Sequence, residues 1–150
     1  MSLKQIDFYE LNKKSPEACS AQILEKCSAN KVLVRLENSV YVKAFDDYLW
    51  TFDNDSFIPH AIFENAEANN PRVIITATSE IELPEYKFLM LINNADFSNF
   101  TQFERIFWSF NYFDTEIKKM AMELKEQAKN AGFISNWWQQ NEKGSFDKKD

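Results

Sequence analysis

The chain has 150 residues, of which 45% are hydrophobic, and its formal net charge is −6. This length predicts one domain with enough apolar material for a single core. The negative charge disfavours broad contact with nucleic-acid phosphates. Two cysteines, Cys19 and Cys27, are too few for a disulfide scaffold. No apolar run suits a signal peptide or a membrane span, so we expect a cytoplasmic protein without membrane contact.

Strand and helix patterns alternate through the first two thirds of the chain. Ser15 followed by Pro16 predicts the capped start of a helix that carries both cysteines. A second helix is predicted over residues 40–50, with Asn38 or Ser39 as its cap. The apolar runs predict five strands, at residues 6–11, 31–35, 57–62, 72–76 and 88–92.

The last third of the chain continues this alternation. Residues 97–103 predict a short helix and residues 105–110 a strand, and Asp114 predicts the cap of a last long helix. The charged segment 139–150 is expected to be a poorly ordered tail, which leaves one domain over residues 1–138. The whole pattern predicts a single three-layer α/β/α domain with a mostly parallel sheet.

Signals for nucleotide, metal and acid–base chemistry are sparse. Gly132 and Gly144 are the two glycines, so no G-x-G-x-x-G or P-loop phosphate motif is present. His60 is the single histidine, and with two distant cysteines it forms no recognisable zinc-ligand set. A satisfied structural role for His60 is favoured over catalysis. We therefore expect no cofactor and no catalytic site.

The last helix carries two side-chain stripes at helical spacing. The apolar stripe, which predicts the face that packs on the sheet, comprises Ile117, Met120, Ala121, Leu124 and Ala128. The second, termed the lysine stripe, comprises Lys118, Met122, Lys125 and Lys129. Two interpretations stay open for the lysine stripe. It is either a solvated face whose lysines the helix dipole favours, or an electrostatic cradle for an acidic partner segment.

A family resemblance emerges from motifs distributed along the chain. They are D-F-Y-E-L at residues 7–11, L-W at 49–50, F-I-P-H at 57–60, R-V-I-I-T at 72–76, L-I-N at 91–93, F-E-R-I at 103–106 and A-G-F at 131–133. In this order and at these spacings the chain resembles the chi subunit of bacterial DNA polymerase III. The resemblance covers residues 6–133, which is nearly the whole predicted fold.

The resemblance implies a non-catalytic adaptor in the clamp loader. Chi proteins join the psi subunit of the clamp loader to the single-stranded DNA-binding protein, SSB, whose acidic C-terminal tail ends in Pro-Phe. Single-stranded DNA is then contacted only through SSB. By position, the family's SSB-tail site falls on Trp50 and the lysine stripe. Its psi contact falls on Phe57, Pro59 and His60.

Two positions of the lysine stripe depart from the family pattern. Met122 stands where the best-known members carry an arginine. An arginine can form a bidentate pair of hydrogen bonds with a carboxylate, and methionine cannot. Lys125 falls where an aromatic residue is familiar. We therefore expect SSB-tail binding that is weaker or that uses Lys125 and Lys129 instead. For Trp50 and Phe57, a role in closing the core stays an open alternative.

Two other functions stay open on the sequence alone. A doubly wound sheet also suits a small nucleotide-binding domain or enzyme, which predicts a pocket with convergent polar groups at the carboxyl ends of the strands. Direct binding of single-stranded DNA would require exposed aromatic rings within a wide basic groove. The leading hypothesis is the adaptor, which works by presenting complementary surfaces.

Overall fold

Eight strands form one sheet in the computed structural model, which describes residues 3–65 and 71–149. The strands are β1 (Gln5–Leu11), β2 (Val32–Arg35), β3 (His60–Ile62), β4 (Val73–Thr76), β5 (Phe88–Ile92), β6 (Arg105–Asn111), β7 (Ile134–Gln140) and β8 (Phe146–Lys148). The α-helices are α1 (Pro16–Lys26), α2 (Ser39–Thr51) and α3 (Thr115–Asn130). The strand order is β3-β4-β2-β5-β6-β1-β7-β8, and every neighbouring pair is parallel except β7 with β8.

Helices cover both faces of the sheet because successive side chains of a strand point to opposite faces. Leu24 of α1 and Phe45 of α2 belong to one buried cluster, together with Val34 of β2. Leu124 of α3 belongs to a second cluster on the other face, together with Phe8 of β1. The predicted three-layer α/β/α domain with a mostly parallel sheet is confirmed.

Polar side chains cap all three α-helices where the sequence predicts them. Ser15 Oγ accepts a hydrogen bond from the first turn of α1 at 3.1 Å. Asn38 Oδ1 accepts two from α2, so Asn38 and not its neighbour is the cap. Asp114 Oδ1 accepts from the first turn of α3 at 3.2 Å. Gly132 follows α3 with φ +90°, a left-handed backbone conformation that favours glycine.

The C-terminal segment differs from its prediction as a poorly ordered tail over residues 139–150. Strand β7 runs to Gln140, and β8 folds back on it as an antiparallel partner. Gly144 (φ +89°) permits the turn, and Asn141 Oδ1 accepts two backbone N–H groups within it. Gln140 Oε1 accepts three successive backbone N–H groups that follow β1. These tertiary bonds order a segment whose composition alone predicts disorder.

Two predicted elements are shorter in the structure. The strand predicted over residues 57–62 begins at His60, because the preceding Pro59 has no N–H for a strand ladder. The short helix predicted over residues 97–103 is a 3₁₀ turn at Phe100–Gln102. Asn99 enters this turn with φ +62°, which interrupts a regular helix.

Candidate functional site

A basic pocket lies where residues 118–125 of α3 face the carboxyl-terminal parts of β1 and β7. Its volume is about 310 Å³, and it is lined by Glu10, Lys118, Met122, Lys125, Trp137, Gln139 and Lys149. Three lysines and one carboxylate therefore meet in a chain whose net charge is −6. Such a local excess of positive charge favours an anionic ligand.

Glu10 lies at the base of this pocket and accepts hydrogen bonds from three of the side chains that line it. Its side chain is almost fully buried, and its Oε2 accepts hydrogen bonds from Lys118 Nζ at 3.2 Å and from Gln139 Nε2 at 3.1 Å. Its Oε1 accepts from Trp137 Nε1 at 2.9 Å. One carboxylate thus fixes the positions of three other lining side chains, and it neutralises part of the charge of Lys118.

Trp137 supplies a rigid apolar wall. Its ring stacks on Phe8 with centroids 4.9 Å apart and meets Phe110 edge-on at 5.6 Å. Lys125 Nζ lies 5.9 Å from the Trp137 ring centroid, within the range of a cation–π contact. Met122 adds a flexible apolar surface, since its side chain is mostly exposed. The pocket therefore combines positive charge with surface for an apolar side chain.

The β7–β8 hairpin brings Lys149 to the pocket. The backbone N–H of Lys149 donates to the carbonyl of Trp137 at 2.7 Å, which extends the antiparallel pairing past β8.

The sequence analysis did not identify four residues of the basic pocket, which are Glu10, Trp137, Gln139 and Lys149. A signal existed for Glu10, because in β1 it shares a face with Phe8, where the strand pattern calls for an apolar residue.

The structure brings together Lys118, Met122 and Lys125 of the predicted SSB-tail residues. Lys129 is exposed on the same helix but does not line the pocket, because it lies about 6 Å farther along the axis than Lys125. Trp50 belongs to α2, which packs on the opposite face of the sheet. The predicted set is therefore divided between two surfaces.

Trp50 instead lies with the residues of the predicted psi contact. Its ring centroid is 5.8 Å from that of Phe57 and 4.7 Å from that of His60. Trp50 is 56% exposed and Phe57 67%, so neither ring closes the core. Pro59 is exposed between Phe57 and β3. Trp50, Phe57 and Pro59 form an apolar surface at the β3 edge of the sheet, and together with His60 beneath them they are termed the aromatic patch.

His60 anchors the aromatic patch from below. Its side chain is fully buried beneath Trp50. Its Nδ1 lies 2.6 Å from the carbonyl oxygen of Ile58, and its Nε2 lies 3.2 Å from the carbonyl oxygen of Asp46. Both ring nitrogens face acceptors, and Nε2 also lies 3.3 Å from Asp46 Oδ1, so the ring is held by contacts within the protein, as in a structural histidine.

A larger cleft of about 710 Å³ lies at the carboxyl ends of β2, β5 and β6, where the alternative nucleotide-binding hypothesis predicts a pocket. Its lining includes four carboxylates and no lysine, arginine or histidine. Carboxylates repel phosphate, and neither glycine of the chain lies there. This composition disfavours nucleotide binding.

Residues 3–65 and 71–149 show no sign of a metal site or a membrane span. Those residues contain no group of three or more His, Cys, Asp or Glu side chains that could hold a metal ion. None of the helices they form is both long and apolar enough to cross a membrane.

Comparisons with known proteins agree with the architecture. The C-terminal domain of the DEAD-box protein Dbp5 has a similar structure, with a TM-score of 0.58 over 91% of each chain. At 9% sequence identity this likeness shows a shared fold and nothing about function. A direct search of curated proteins found no match.

The family model of the DNA polymerase III chi subunit, HolC, matches residues 3–134. That range includes β1 to α3, and it ends as β7 begins. Trp137, Gln139 and Lys149 of the basic pocket therefore lie outside it. Because the match covers most of the 150 residues, the chain belongs to the chi subunit family, whose members are accessory subunits of DNA polymerase III and not catalytic enzymes.

Proposed function

We propose that this chain is a cytoplasmic adaptor that holds the acidic C-terminal tail of SSB in the basic pocket and the psi subunit on the aromatic patch. The observation that carries the proposal is the basic pocket, because three lysines converge there around apolar surface in an otherwise acidic chain. The adaptor joins its partners without transforming either one. Single-stranded DNA is reached only through SSB.

The chemistry of the pocket suits a tail with carboxylates and a terminal Pro-Phe. The ammonium groups of Lys118, Lys125 and Lys149 would receive the tail's carboxylates. Met122 and Trp137 would receive its terminal ring. Lys149 supports this assignment in particular, because it adds a cation to a pocket in which Met122 replaces the family's arginine.

The psi assignment draws on the exposure of the aromatic patch. Large aromatic side chains are enriched at the centres of protein interfaces, and exposed apolar clusters mark binding surfaces. Trp50 therefore joins Phe57 and Pro59 in our proposed psi site, with the buried ring of His60 as its support. The two proposed sites use different faces of the sheet, so one chain can hold both partners.

Direct binding of single-stranded DNA has less support from the arrangement of these residues. Such binding needs stacking rings within a continuous basic groove. The exposed rings of Trp50 and Phe57 lie on the α2 side, whereas the basic pocket lies on the α3 side. The sheet therefore separates the rings of Trp50 and Phe57 from the lysines of the basic pocket.

A fluorescence titration tests the SSB-tail site. The ligand is the C-terminal peptide of the SSB from the same organism, and a copy without its final Phe is the control ligand. Trp137 lines the pocket and serves as the reporter. We expect saturable binding that requires the Phe and weakens as salt increases. Absence of binding at low salt would refute the assignment of the tail to this pocket.

Matched lysine variants locate the binding. Lys125→Gln removes one pocket charge and leaves the Lys118–Glu10 pair in place. We expect its Kd to rise about three- to tenfold, which corresponds to about 0.7–1.4 kcal/mol. Lys129→Gln makes the same charge change on the same helix outside the pocket, and should raise Kd less than about twofold. Equal effects of both variants would indicate long-range attraction without a specific site.

A second pair of variants tests the psi contact. Phe57→Ala removes an exposed ring from the aromatic patch and should weaken psi binding about tenfold or more. Phe113→Ala removes a ring that is 68% exposed, almost the same as Phe57, but lies at the start of α3. It should leave psi affinity unchanged in isothermal titration calorimetry. Unchanged affinity of Phe57→Ala would contradict the assignment.

A further inference from the structure

The cleft at the carboxyl ends of β2, β5 and β6 is used by neither proposed site. It opens where α1, α2 and α3 begin, and its volume is about 710 Å³. Phe45, Ile92 and Ile117 contribute its buried apolar base, and Tyr41 and Tyr48 form part of its wall. This volume and this mixture of apolar base and polar rim are typical of ligand sites.

The rim of the cleft carries net negative charge. Glu17, Glu37, Asp114 and Glu116 line it, and the lining includes no basic side chain. Among the described residues, none of these four forms a salt bridge. The three helix N-termini offset only part of this charge, because each contributes about half a positive unit. The cleft therefore favours a cationic occupant.

The pKa shift of the Tyr48 phenol agrees with this description of the cleft. Burial raises the pKa of its phenol, and the nearby Glu17 carboxylate raises it further. Because Tyr48 forms part of the cleft wall, this effect indicates that the negative potential of the Glu17 carboxylate extends into the cleft.

Exposed apolar side chains include the lining residue Tyr41 and sequence neighbours of other residues that line the cleft. Val40 (72% exposed) and Tyr41 (51%) lie in the first turn of α2. Tyr112 (50%) and Phe113 (68%) immediately precede Asp114 at the start of α3. Large apolar groups concentrated at one end of a molecule mark a protein-binding surface. They also favour a peptide over a metal ion or a small amine, neither of which would cover them.

We propose that this cleft is a docking site for a basic peptide segment of a partner protein. A Lys or Arg side chain of the segment enters the cleft between Glu17, Glu37 and Glu116. Apolar side chains that flank it in the peptide cover Tyr41 at the rim and Phe113, which precedes the lining residue Asp114. The site is distinct from the basic pocket and from the aromatic patch, and its charge is opposite to that of the basic pocket.

The probe is a fluorescein-labelled peptide, Gly-Arg-Leu-Lys-Phe-Arg-Gly, measured by anisotropy and by amide chemical shifts of the full chain. A copy with Glu in place of each Arg and Lys is the control ligand. We expect saturable binding that perturbs the amides of Glu37, Tyr41 and Asn93 and does not occur with the acidic copy. Perturbations spread over the whole acidic surface would overturn the proposal.

Paired variants separate the cleft from general charge attraction. The double variant Glu17→Gln with Glu37→Gln should weaken the basic peptide about fivefold or more. Glu25→Gln with Glu126→Gln makes the same change at exposed positions of α1 and α3 outside the cleft, and should have little effect. An equal loss in both double variants would overturn the proposal. So would displacement of the peptide by an equal concentration of lysine amide, which would make the site one for small amines.

Discussion

Glu10→Gln should strengthen binding of an acidic peptide to the basic pocket. In the native chain the Glu10 carboxylate and an incoming carboxylate compete for the ammonium group of Lys118. Glutamine keeps the size of the side chain and can still accept from Trp137 Nε1 through its Oε1. The substitution removes one negative charge from the base of the pocket and releases Lys118 for the ligand.

The geometry sets the size of this effect. Lys118 Nζ lies 3.2 Å from Glu10 Oε2, and a ligand carboxylate would lie about 3 Å from Nζ on its other side. The two carboxylates would then be about 6 Å apart, and their repulsion is about 0.7–1.4 kcal/mol at effective dielectric constants of about 40–80. We expect Kd to fall about three- to tenfold at low salt.

The stability cost of Glu10→Gln should be modest. Lys118 is 38% exposed and can turn into water when its partner is lost, whereas Glu10 is buried. The reverse variant, Lys118→Gln, leaves the buried Glu10 carboxylate with neutral donors alone and should be more destabilising. We expect a loss of about 1–2 kcal/mol in the free energy of unfolding for Glu10→Gln and about 3 kcal/mol for Lys118→Gln.

Peptide anisotropy and urea denaturation measure the two quantities on the same samples. Glu123→Gln is the control, because it removes a carboxylate from an exposed position of α3 outside the pocket. Its Kd should change less than about twofold. If Glu10→Gln remains folded but binds the peptide more weakly, Glu10 positions Lys118 for the ligand, and the reasoning from competition is refuted.

Three further predictions concern the hairpin, the loop after β1 and the thiols. Lys149→Gln should raise the Kd of the acidic peptide about three- to tenfold, whereas Lys148→Gln, at the neighbouring position outside the pocket, should not. Gln140→Ala should lower the free energy of unfolding by about 1–3 kcal/mol in urea, because three partly buried backbone N–H groups lose their acceptor. Burial raises the pKa of the thiols of Cys19 and Cys27, so both should react slowly with Ellman's reagent at pH 8 until urea is added. Rapid reaction of both thiols in the native protein would contradict the burial of Cys19 in α1 and the partial burial of Cys27 at its C-cap.

Elements with local signals were predictable from the sequence. The caps Ser15, Asn38 and Asp114 satisfy N–H groups within their own first turns, so three or four adjacent residues carry the whole signal. Continuous apolar runs such as residues 88–92 indicate strands buried on both faces, and the structure has β5 there. Local bonding and apolar runs together were sufficient for the fold class.

Strand β7 was not predictable because its stability depends on distant residues. Its sequence is half polar, and its polar groups find partners on β1. Asn136 Nδ2 donates to Asp7 Oδ1 at 3.0 Å, and Trp138 Nε1 donates to the same oxygen at 3.2 Å. Those partners are separated from Asp7 by 129 and 131 positions in the chain. No local window of sequence contains both members of such a pair.

One part of the candidate site was predictable from local sequence spacing, and the rest was not. Helical spacing placed Lys118, Met122 and Lys125 on one face of α3, and the structure has them in one pocket. Spacing could not show that Lys118 is paired with Glu10, which lies 108 positions away. Nor could it show that Trp50 is on the opposite face, because that depends on which way each crossover connection passes over the sheet.

The distance between the two proposed sites determines how the proposed adaptor would work. The aromatic patch lies at the β3 edge, and the basic pocket lies near β7, six strand positions away. At about 4.8 Å per strand this is about 29 Å, and the sheet also separates the two sites. Charges that far apart are screened, since the Debye length is about 8 Å at physiological salt. The two sites share no side chain and no α-helix, so neither ligand changes the contacts of the other. The coupling free energy should therefore be near zero, and Kd for the acidic peptide should be the same with and without saturating psi. The gain from joining two partners then comes from raised local concentration, without any communication through the fold.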